Sequence, residues 1–372
     1  MALEILWLQD FRCFTDAVFA PHPSGLTVLY GPNGAGKTSI LEALSWLGTG
    51  RSFRTTTREA LVRVGTARAV VRAQLHTAGR TQLVEAELPR TGTARVQVNR
   101  QAVRRVVERA AAAPMTVFCP EDLALVQGGP AERRGFLDDV LASSQVRTEA
   151  LVVEVERVLR QRAALLHHAG GRGTPEVMST LDVWDSRLAD AGSALVAARE
   201  ALLAEMAPML NAIYGRLAGV PDAITVAYRR SWEGDLGAAL EARRGEDLRR
   251  QSTGIGPHRD EVELFVAGRP ARTHCSQGEQ RSLALALRLT SHHLATRRIG
   301  EPPVLLLDDV FSELDPARAR ALVAELPPGQ VLLTTAGDPP ALVEPDRVVR
   351  IEGGQLVGAA DEAPPAVAEG CR

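Results

Sequence analysis

The stretch "YGPNGAGKTS", residues 30 to 39, contains the only lysine of the chain, and the remainder of its 43 lysine and arginine residues are arginine. Gly31 to Thr38 matches the pattern G-x-x-x-x-G-K-[ST] at every position. The apolar run "LTVLY" before it predicts a buried parallel strand, and apolar residues recur at helical spacing from Ile40 to Leu47. A strand, a glycine-rich loop and a helix in this order predict an α/β fold that binds phosphate groups at the loop.

Each residue type in this loop has a physical role in holding a nucleotide. Glycines let successive backbone N–H groups turn inward around phosphate oxygens, and the following helix adds the positive end of its dipole. Lys37 places a compact ammonium group between the β- and γ-phosphates, in a space that the planar fork of an arginine does not fit. The Thr38 hydroxyl is a ligand for Mg²⁺. The candidate nucleotide-binding residues are Gly31, Pro32, Asn33, Gly34, Ala35, Gly36, Lys37, Thr38 and Ser39.

A second candidate element follows late in the chain, where the apolar run "VLLLDD" (304 to 309) ends in two carboxylates. Two adjacent carboxylates at the end of a buried strand are costly without a cation, which favours a metal site over an exposed acidic turn. Asp308 is therefore expected to hold Mg²⁺ together with Thr38. Asp309 is a candidate catalytic residue, together with Lys37, and would orient or deprotonate the attacking water.

The third element, "SQGEQRSLALALRL", begins at Ser276. Ser276 and Glu279 have the spacing of a capping box, so this segment predicts a helix that begins here. A capped helix start that carries serine and glycine is also a potential anion site, which adds Gln277 and Gly278 to the candidates. Both readings remain open on the residues alone.

Composition limits the classes of protein that fit. The chain has 372 residues and a formal net charge of -2, so any contact with nucleic acid must come from a local patch. Its four cysteines are scattered without metal-ligand spacing, which is typical of a reduced intracellular protein. No signal peptide is indicated, and no apolar run approaches the roughly 18 residues that span a bilayer. We expect a cytoplasmic protein without a membrane partner.

The pattern between these elements changes several times. Residues 69 to 98 alternate in places between turn signals, which predicts antiparallel hairpins, and "VELFVAGRPA" (262 to 271) predicts another. From about residue 131 to 215 the apolar spacing is helical but too irregular for a long coiled-coil arm. "PVLLLDD" and "QVLLTT" are buried-strand candidates on either side of the helical "ARARALVAEL".

Together these motifs resemble the RecF family, which is related to the SMC-type ABC ATPases. The matching segments run nearly end to end. They are "LQDFRCF", "GPNGAGKTSILEAL", "GRSFRT" (50 to 55), "FCPEDLALVQGGPAERRGFLD" (118 to 138), "TGIGPHRDE" (253 to 261), "SQGEQRSLALAL" and "LLLDDVFSELD". The "PEDL" and "GPHRD" segments are not general ABC features, so they carry most of the assignment.

The resemblance implies a fold and a domain arrangement. The fold would be an α/β ABC-type P-loop ATPase head, with an α/β core and an antiparallel β subdomain, plus a second, mainly helical lobe and no long coiled coil. Residues 1–115 and 296–357 would form the ATPase lobe. Residues 116–295 would form the helical lobe with the signature "SQGEQ", and 358–372, rich in alanine, proline and glutamate, would be a disordered tail.

The resemblance also implies a function. Members of this family are ATP-dependent DNA-binding proteins of recombinational repair, replication restart and the SOS response to DNA damage. They hydrolyse ATP slowly, form a dimer with ATP–Mg²⁺ sandwiched between subunits, bind duplex, gapped or junction DNA, and help to load recombinase with RecO and RecR. By this resemblance Ser276 and Gly278 contact the nucleotide of the partner subunit.

Further residues acquire roles only by this resemblance. Arg12 of the "FR" pair is expected near the nucleotide, and "SELD" resembles the D-loop, with Ser312 and Asp315. Thr335 stands near the position of the switch histidine of many ABC enzymes and could sense the γ-phosphate. Gln74 is a candidate for the glutamine that often ligates Mg²⁺, although a polar strand residue is the simpler interpretation. Asp309 replaces the usual glutamate, which is consistent with slow turnover.

Contacts with DNA are not marked by any base-reading motif, so recognition of the backbone without sequence choice is expected. The candidates are six arginine pairs, each of which is also compatible with an ordinary solvated helix face. These pairs are Arg104–Arg105, Arg133–Arg134, Arg229–Arg230, Arg243–Arg244, Arg249–Arg250 and Arg297–Arg298.

Two other classes of protein share part of this pattern. An ATPase subunit of an ABC transporter has the P-loop and the signature, but it does not need "GPHRD" or "PEDL", and it requires a membrane partner. Another P-loop phosphotransferase, such as a small-molecule kinase, shares only the P-loop and leaves "SQGEQ" unexplained. The RecF-like interpretation accounts for all of these segments.

Overall fold

The computed structural model describes residues 1–77, 79–221, 223–339 and 341–357. The tail from Gly358, for which the sequence predicts disorder, lies outside the described residues. The chain divides into two compact units. Unit 1 contains Met1–Asp122 and the described residues from Leu285 to Val357, and unit 2 contains Leu123–Ala284. The expected borders of the helical lobe, 116 and 295, lie within about a dozen residues of these divisions.

The strands have short, mostly apolar sequences. They are β1 (Ala2–Phe11), β2 (Phe14–Phe19), β3 (Gly25–Tyr30), β4 (Arg68–Thr77), β5 (Arg80–Pro89), β6 (Arg95–Val98), β7 (Gln101–Ala102), β8 (Met115–Phe118), β9 (Ile224–Arg229), β10 (Glu261–Val266), β11 (Arg269–Pro270), β12 (Val304–Asp308), β13 (Gln330–Thr335), β14 (Arg347–Glu352) and β15 (Gln355–Val357).

The helices are concentrated in the middle of the chain. They are α1 (Lys37–Thr49), α2 (Val106–Ala112), α3 (Ala124–Gln127), α4 (Pro130–Ser144), α5 (Val146–Ala169), α6 (Pro175–Ala218), α7 (Leu236–Arg250), α8 (Ala271–His274), α9 (Gln277–Ile299) and α10 (Pro316–Glu325). Short 3₁₀ helices cover Arg58–Leu61, Pro120–Leu123 and Val310–Glu313. No helix among the described residues is long and apolar enough to cross a membrane.

Unit 1 contains two six-stranded sheets. One is antiparallel, in the order β2-β1-β4-β5-β6-β7, and it includes the hairpins expected between residues 69 and 98. Its strands alternate buried and exposed side chains, because one face packs on the core and the other faces water. Apolar residues of this sheet join those of α1 and the second sheet in one continuous core, with Phe11, Phe14 and Leu44 fully buried.

The second sheet positions the candidate site. Its order is β15-β14-β3-β13-β12-β8, and all neighbouring pairs are parallel except β14 and β15. The strands before the P-loop and the carboxylate pair, β3 and β12, both pair with β13. Because parallel strands end at the same edge of a sheet, the P-loop and the carboxylate pair meet at one edge. The buried strands expected at "LTVLY", "PVLLLDD" and "QVLLTT" are confirmed.

Unit 2 is mainly helical, with α4 to α7 and a three-stranded sheet in the order β11-β10-β9. The hairpin expected at "VELFVAGRPA" is the antiparallel pair β10 and β11. Helix α5 packs against α6, and no long coiled coil extends from the described residues. The α/β and helical architecture expected from the sequence is therefore confirmed.

Buried arginines connect the helices of unit 2 to the segment "TGIGPHRDE". Arg162 is fully buried and donates to carboxylates of Asp185 and Asp247, each at 2.8 Å, and to the Thr253 hydroxyl at 2.7 Å. Arg199 donates to both carboxylate oxygens of Asp138 and to the carbonyl of residue 257. A buried guanidinium requires such partners, so these ion pairs fix the segment in place.

Candidate nucleotide-binding site

The P-loop conformation requires its glycines. Strand β3 ends at Tyr30 and α1 begins at Lys37, as the sequence predicts. Gly31 and Gly36 have φ angles of 148° and 116°, which side-chain-bearing residues rarely adopt. A Cβ at Gly31 would collide with the Ile351 carbonyl oxygen, and one at Gly36 would lie 2.7 Å from the Phe14 ring. The backbone can therefore turn close to its neighbours only without these side chains.

Lys37 is buried at the start of α1, and its ammonium group lies against the loop. Its Nζ donates to the carbonyl oxygens of Gly31 at 2.7 Å and Pro32 at 2.9 Å. Burial lowers the pKa of Lys37 below its ordinary value, while the charges of Asp309 and Asp308 oppose this effect. A compact ammonium group can occupy this position because it needs no planar, forked set of acceptors.

Asp308 receives hydrogen bonds from two threonines at the edge of the parallel sheet. Oδ1 of Asp308 accepts from the Thr38 hydroxyl at 2.8 Å and from the Thr334 hydroxyl at 2.7 Å. Burial raises the pKa of Asp308, and the hydrogen bonds from Thr334 and Thr38 act in the opposite direction. The contact between Thr38 and Asp308 joins residues 270 positions apart, and it brings together the two metal ligands that the sequence proposed.

The oxygen donors at this position fit Mg²⁺. A threonine hydroxyl and a carboxylate are hard ligands, and Mg²⁺ is usually bound by one or two carboxylates together with substrate phosphates and water. Among the described residues no group of three or more histidine, cysteine, aspartate or glutamate side chains could hold a metal ion. Thr38 and Asp308 would therefore share an Mg²⁺ ion with the phosphates of a nucleotide.

Asp309 follows β12 in a left-handed conformation, with φ of 49°. Its backbone N–H donates to the Thr334 hydroxyl oxygen at 3.0 Å, and its carbonyl accepts from the Ser312 hydroxyl at 2.9 Å. A positive φ outside glycine is uncommon and occurs most often for asparagine and aspartate. This turn separates the directions of the two neighbouring carboxylates, so that Asp309 reaches the cavity beside the P-loop.

A cavity of about 430 Å³ lies over the P-loop, within the size range of small-molecule sites. It brings together Lys37, Thr38 and Asp309 with Arg12, and it also includes Thr334. The remaining lining residues are Cys13, Asn33, Gly34, Gly36, Ser39, Arg54, Ala60, Val62, Val64 and Ala336. The sequence analysis predicted the P-loop residues, Arg12 and Asp309 of this lining, but not Arg54 or the apolar residues Ala60, Val62 and Val64.

Arg12 lies at the cavity, as the family resemblance implies, and its guanidinium is held by Glu42. Nε of Arg12 donates to Glu42 Oε2 at 2.8 Å, and NH2 donates to Oε1 at 2.6 Å. Its NH1 donates to the Ala60 carbonyl at 2.8 Å. Sequence reasoning missed Glu42, although a carboxylate on the apolar face of α1 is a detectable signal.

The structure does not bring Gln74 to this site. Gln74 lies in β4, and its amide donates to a Glu4 carboxylate oxygen at 2.6 Å. It is absent from the lining of the cavity in the described part of the chain. The simpler interpretation, a polar residue on a strand, accounts for this position, and we withdraw Gln74 as a metal ligand.

The two threonines that end β13 occupy different environments. Thr334 is buried and bonds to Asp308, whereas Thr335 is half-buried and does not belong to the described cavity lining. Successive strand residues point to opposite faces of a sheet, so only one of the pair can face the carboxylates. The structure therefore favours Thr334 over Thr335 as the polar residue that contacts the site from β13.

The signature segment lies in unit 2, at the start of α9. The backbone N–H of Ser276 donates to Glu279 Oε2 at 2.7 Å, and the Glu279 N–H donates to the Ser276 hydroxyl at 3.3 Å. This reciprocal arrangement is the capping box that the sequence predicts. Ser276 and Gln277 are exposed, so the capped helix start is accessible. Gln280 is buried, and its amide donates to the Ala271 and Arg272 carbonyls.

The D-loop candidates take local roles. Ser312 is exposed in the 3₁₀ helix after β12. Asp315 caps α10, because its carboxylate accepts from the backbone N–H groups of Ala317 at 3.0 Å and Arg318 at 2.9 Å. Those hydrogen bonds lower the pKa of Asp315. Both residues are exposed, and both lie in the chain segment that follows the carboxylate pair.

Two of the six arginine pairs proposed for DNA contact are unsuitable. Arg133 is buried against Glu261, and Arg134 donates to the Asp260 carbonyl oxygen. Arg244 is buried between Asp182 and Asp185, which leaves only Arg243 of the Arg243–Arg244 pair partly exposed. The sequence could not show this, because an arginine doublet looks the same on a surface and in a buried ion pair.

Three of the other pairs remain exposed in different ways. Arg229, Arg230, Arg249 and Arg250 lie at the surface and form ion pairs with nearby glutamates. Exposed ion pairs of this kind are weak, so they can exchange a carboxylate for a phosphate. Arg104 and Arg105 are exposed at the start of α2. These surfaces stay candidates for backbone contact.

The last pair, Arg297–Arg298, is exposed in the final turn of α9. Basic residues at this end of a helix also interact favourably with the helix dipole, so their presence has a structural explanation of its own.

This chain is similar to known proteins along nearly its whole length. The model of the RecF/RecN/SMC N-terminal domain family matches residues 2–339. The DNA replication and repair protein RecF of Beutenbergia cavernae is 41% identical over 96% of this chain and 99% of that protein. The protein of the same name from Streptomyces avermitilis is 40% identical, over 95% of this chain and 99% of that protein.

Solved structures agree with this relationship. A structure of the recombination mediator protein RecF-ATP in the RecFOR pathway superposes with a TM-score of 0.87 at 26% identity, covering 95% of this chain and 96% of that one. An Smc head bound to the C-terminal winged-helix domain of ScpA, at 14% identity and a TM-score of 0.57, shares the fold. With the P-loop, the paired carboxylates and the signature helix in place, the chain belongs to the RecF family of SMC-like ABC ATPases.

Proposed function

We propose that this protein is an ATP-dependent DNA-binding protein of recombinational repair and replication restart. The observation that carries the proposal is the convergence of Lys37, Thr38 and Asp308 at one sheet edge, with the two oxygen ligands 2.8 Å apart. This arrangement matches the needs of a nucleoside triphosphate with Mg²⁺. It is supported by relatives that are named DNA replication and repair proteins and by the solved RecF-ATP structure.

ATP–Mg²⁺ is the proposed ligand of the cavity over the P-loop. Backbone N–H groups of the loop and the Lys37 ammonium would bind the phosphates, and Thr38 and Asp308 would hold the metal, which supplies charge neutralisation at the transferred phosphate. Asp309 would accept a proton from the attacking water or orient it. Because an aspartate reaches less far than the usual glutamate, we propose that this ATPase is slow and that binding is its main role.

A dimer with ATP between its subunits is the proposed active assembly. In unit 2 the signature offers an exposed serine hydroxyl and a capped helix start, which favour an anion. Ser276 and Gly278 would contact the phosphates held by the P-loop of a second copy. The nucleotide then becomes part of the interface, so ATP would control dimerisation.

DNA and the RecO and RecR proteins are the proposed partners, and the cytoplasm is the proposed location. The net charge of -2 excludes a general attraction to DNA, so binding would depend on local arginines brought together in the dimer. Contacts with phosphates alone would give salt-dependent binding without sequence choice. The proposed sites of action are gaps and stalled forks, where recombinase is loaded.

The mass of the full chain in solution tests this proposal. Samples with a short duplex DNA are compared without nucleotide, with ADP–Mg²⁺ and with ATP–Mg²⁺, and Lys37→Arg is measured beside the wild type. We expect a dimer on DNA only with ATP, and its loss in Lys37→Arg, because the guanidinium fork does not fit the space of the ammonium. A monomer under every condition would refute the sandwich dimer.

A second variant separates ATP binding from dimerisation. Ser276→Arg adds a bulky cation at the exposed signature and leaves the residues that line the cavity of unit 1 unchanged. We expect this variant to bind ATP like the wild type and to remain a monomer on DNA. Loss of ATP binding in Ser276→Arg would show that the signature is needed within its own subunit, against the proposed arrangement.

A further inference from the structure

Glu42 is an unusual residue on α1, because a carboxylate occupies a position on the buried face of this helix. It is fully buried, one turn after the P-loop residue Thr38. A buried carboxylate is costly unless several donors surround it. Helix α1 needs no carboxylate to pack its apolar neighbours, so Glu42 requires an explanation.

The donors around Glu42 come from two other chain segments. From the turn after β1, Arg12 donates to both carboxylate oxygens, at 2.8 and 2.6 Å. From the loop after α1, the Ser52 hydroxyl donates to Oε1, and NH1 of Arg54 lies 3.8 Å from Oε2. One carboxylate thus joins the "FR" turn to the "GRSFRT" loop behind the P-loop.

Both arginines face the cavity that we propose for ATP. Arg12 and Arg54 belong to its lining, and Glu42 lies behind them. Arg12 is held by a two-bond contact, whereas the Arg54 side chain is 40% exposed and only loosely paired. One carboxylate balances one of the two guanidinium charges, so the wall retains a net positive charge that suits a phosphate chain.

We propose that Glu42 is a positioning residue for nucleotide binding, which fixes Arg12 and keeps Arg54 at the cavity wall. The proposal rests on the proposed ATP site. An arginine side chain is long and flexible, so holding it in one rotamer before the ligand arrives reduces the entropy that binding costs. Glu42 does not touch the cavity and would act only through the arginines.

The test uses Glu42→Gln, which keeps the shape but removes the charge. Its amide N–H group also faces the donors of Arg12 and Ser52, so the guanidinium loses its fixed position. We expect Glu42→Gln to weaken binding of a fluorescent ATP analogue to the full chain by about tenfold, a typical coupling for one network. Removal of a negative charge without positioning would instead strengthen phosphate binding, so an unchanged or higher affinity overturns the proposal.

A double-mutant cycle separates positioning from stability. If Glu42 acts through Arg12, Glu42→Gln costs less ATP affinity in the Arg12→Ala background than in the wild type, and the loss that remains reports the more loosely paired Arg54. If Glu42 only stabilises the fold, Glu42→Gln lowers the melting temperature, and its effect on ATP affinity simply adds to that of Arg12→Ala. Additive effects of the two substitutions on ATP affinity would therefore overturn the proposal. Asp138→Asn is the matched control, because Asp138 also holds an arginine by two bonds, at 2.7 and 2.6 Å, but in unit 2. We expect it to reduce stability without changing ATP affinity.

The outcome is distinguishable from failure of the proposed function. If the wild type binds no ATP analogue, or if Lys37→Arg binds it equally well, the proposed ATP site itself is wrong. If Lys37→Arg loses binding but Glu42→Gln does not, only the role of Glu42 is wrong.

Discussion

Thr334 donates its hydroxyl hydrogen to Oδ1 of Asp308 at 2.7 Å. The same hydroxyl oxygen accepts the backbone N–H of Asp309 at 3.0 Å. This double contact follows from the parallel register of β12 and β13, in which Asp308 lies opposite Thr334. Thr334 of β13 therefore holds the Asp308 carboxylate directly, and it orients Asp309 by accepting the backbone N–H of that residue.

Thr334→Val is expected to slow ATP hydrolysis by about tenfold, because the variant keeps the shape of the side chain and removes a hydrogen bond to a charged group. It leaves the Asp309 N–H without its acceptor, so the position of the proposed base becomes less defined. Steady-state ATPase rates of the full chain with DNA give the turnover number and KM separately. The reduction should lie mainly in the turnover number, since the phosphate-binding loop is untouched.

Thr335→Val is the matched control for this variant. Thr335 is next in sequence but does not belong to the described cavity lining. We expect turnover within about twofold of the wild type, as for a surface substitution without a special role. A larger loss in Thr335→Val than in Thr334→Val would restore Thr335 as the switch residue and contradict the arrangement in this structure.

Asp308→Asn is expected to stabilise the nucleotide-free protein at neutral pH. Burial raises the pKa of Asp308, so ionising this residue is less favourable in the folded than in the unfolded chain. An asparagine still accepts from Thr38 and Thr334 through its oxygen and carries no charge. The melting temperature measured with EDTA should therefore rise, whereas Mg²⁺-dependent ATP binding should be lost.

The pH dependence of this difference gives a second readout. A group with a raised folded pKa favours the folded state below its unfolded pKa, and that contribution is lost as the pH rises through the folded pKa. The advantage of Asp308→Asn should therefore be greatest at neutral pH and shrink as the wild type becomes protonated in acid. An advantage that does not change with pH would show that ionisation of Asp308 is not its cause.

Much of this site follows from local sequence signals. The P-loop requires glycines at fixed positions and a strand and helix around them, so Gly31 to Thr38 could be located without a structure. The carboxylates of Asp308 and Asp309 stand out because they end an apolar strand. Ser276 and Glu279 are identified by their capping-box spacing. Each signal depends only on neighbours in the chain.

The remaining features depend on contacts between distant segments. Whether Thr334 or Thr335 faces the carboxylates is decided by the register of two parallel strands, and a shift of one residue would exchange them. Glu42 can be identified as the partner of Arg12 only once the fold places the turn that contains Arg12 beside α1. Gln74 looks like a possible ligand until its pairing with Glu4 is known. Composition and periodicity do not contain this information.

Gly36→Ala tests the close packing beneath the P-loop. A Cβ here would lie 2.7 Å from the Phe14 ring and 2.8 Å from the Cys13 sulfur, at a φ of 116°. We expect a loss of about 1–3 kcal/mol in the free energy of unfolding beyond the backbone strain, as for an overpacked core. Urea titrations of the nucleotide-free protein measure this change.

Gly34→Ala provides the comparison for Gly36→Ala. Gly34 also has a positive φ, of 79°, but a Cβ there would have nothing within 4 Å among the described atoms. It should cost only the backbone strain, about 1–2 kcal/mol. Equal losses in the two variants would show that the contact with Phe14 and Cys13 relaxes without cost.

We expect His292 to make unit 1 sensitive to acid. This residue of α9 is buried, and its Nδ1 lies 3.1 Å from the Thr116 hydroxyl, while Nε2 has no hydrogen-bond partner among the described residues. Burial, and to a smaller extent the neighbouring His293, lowers the pKa of His292 from 6.5 to about 4. Between pH 6.5 and about 4, the His292 imidazole is therefore mostly protonated in the unfolded chain and mostly neutral in the folded chain.

The sign of the effect follows from proton binding. Because the unfolded state binds more protons between pH 6.5 and about 4, stability falls as the pH is lowered through this range, by roughly 3 kcal/mol in total. His292→Gln keeps a polar group near Thr116 but cannot titrate, so its melting temperature should fall less between pH 7 and pH 5. His76→Gln, at an exposed position of β4, should follow the wild type. If His292→Gln loses stability in acid as steeply as the wild type and His76→Gln do, burial of His292 does not set the acid sensitivity. His258 of unit 2, whose pKa is also lowered by burial, would then be the next residue to test.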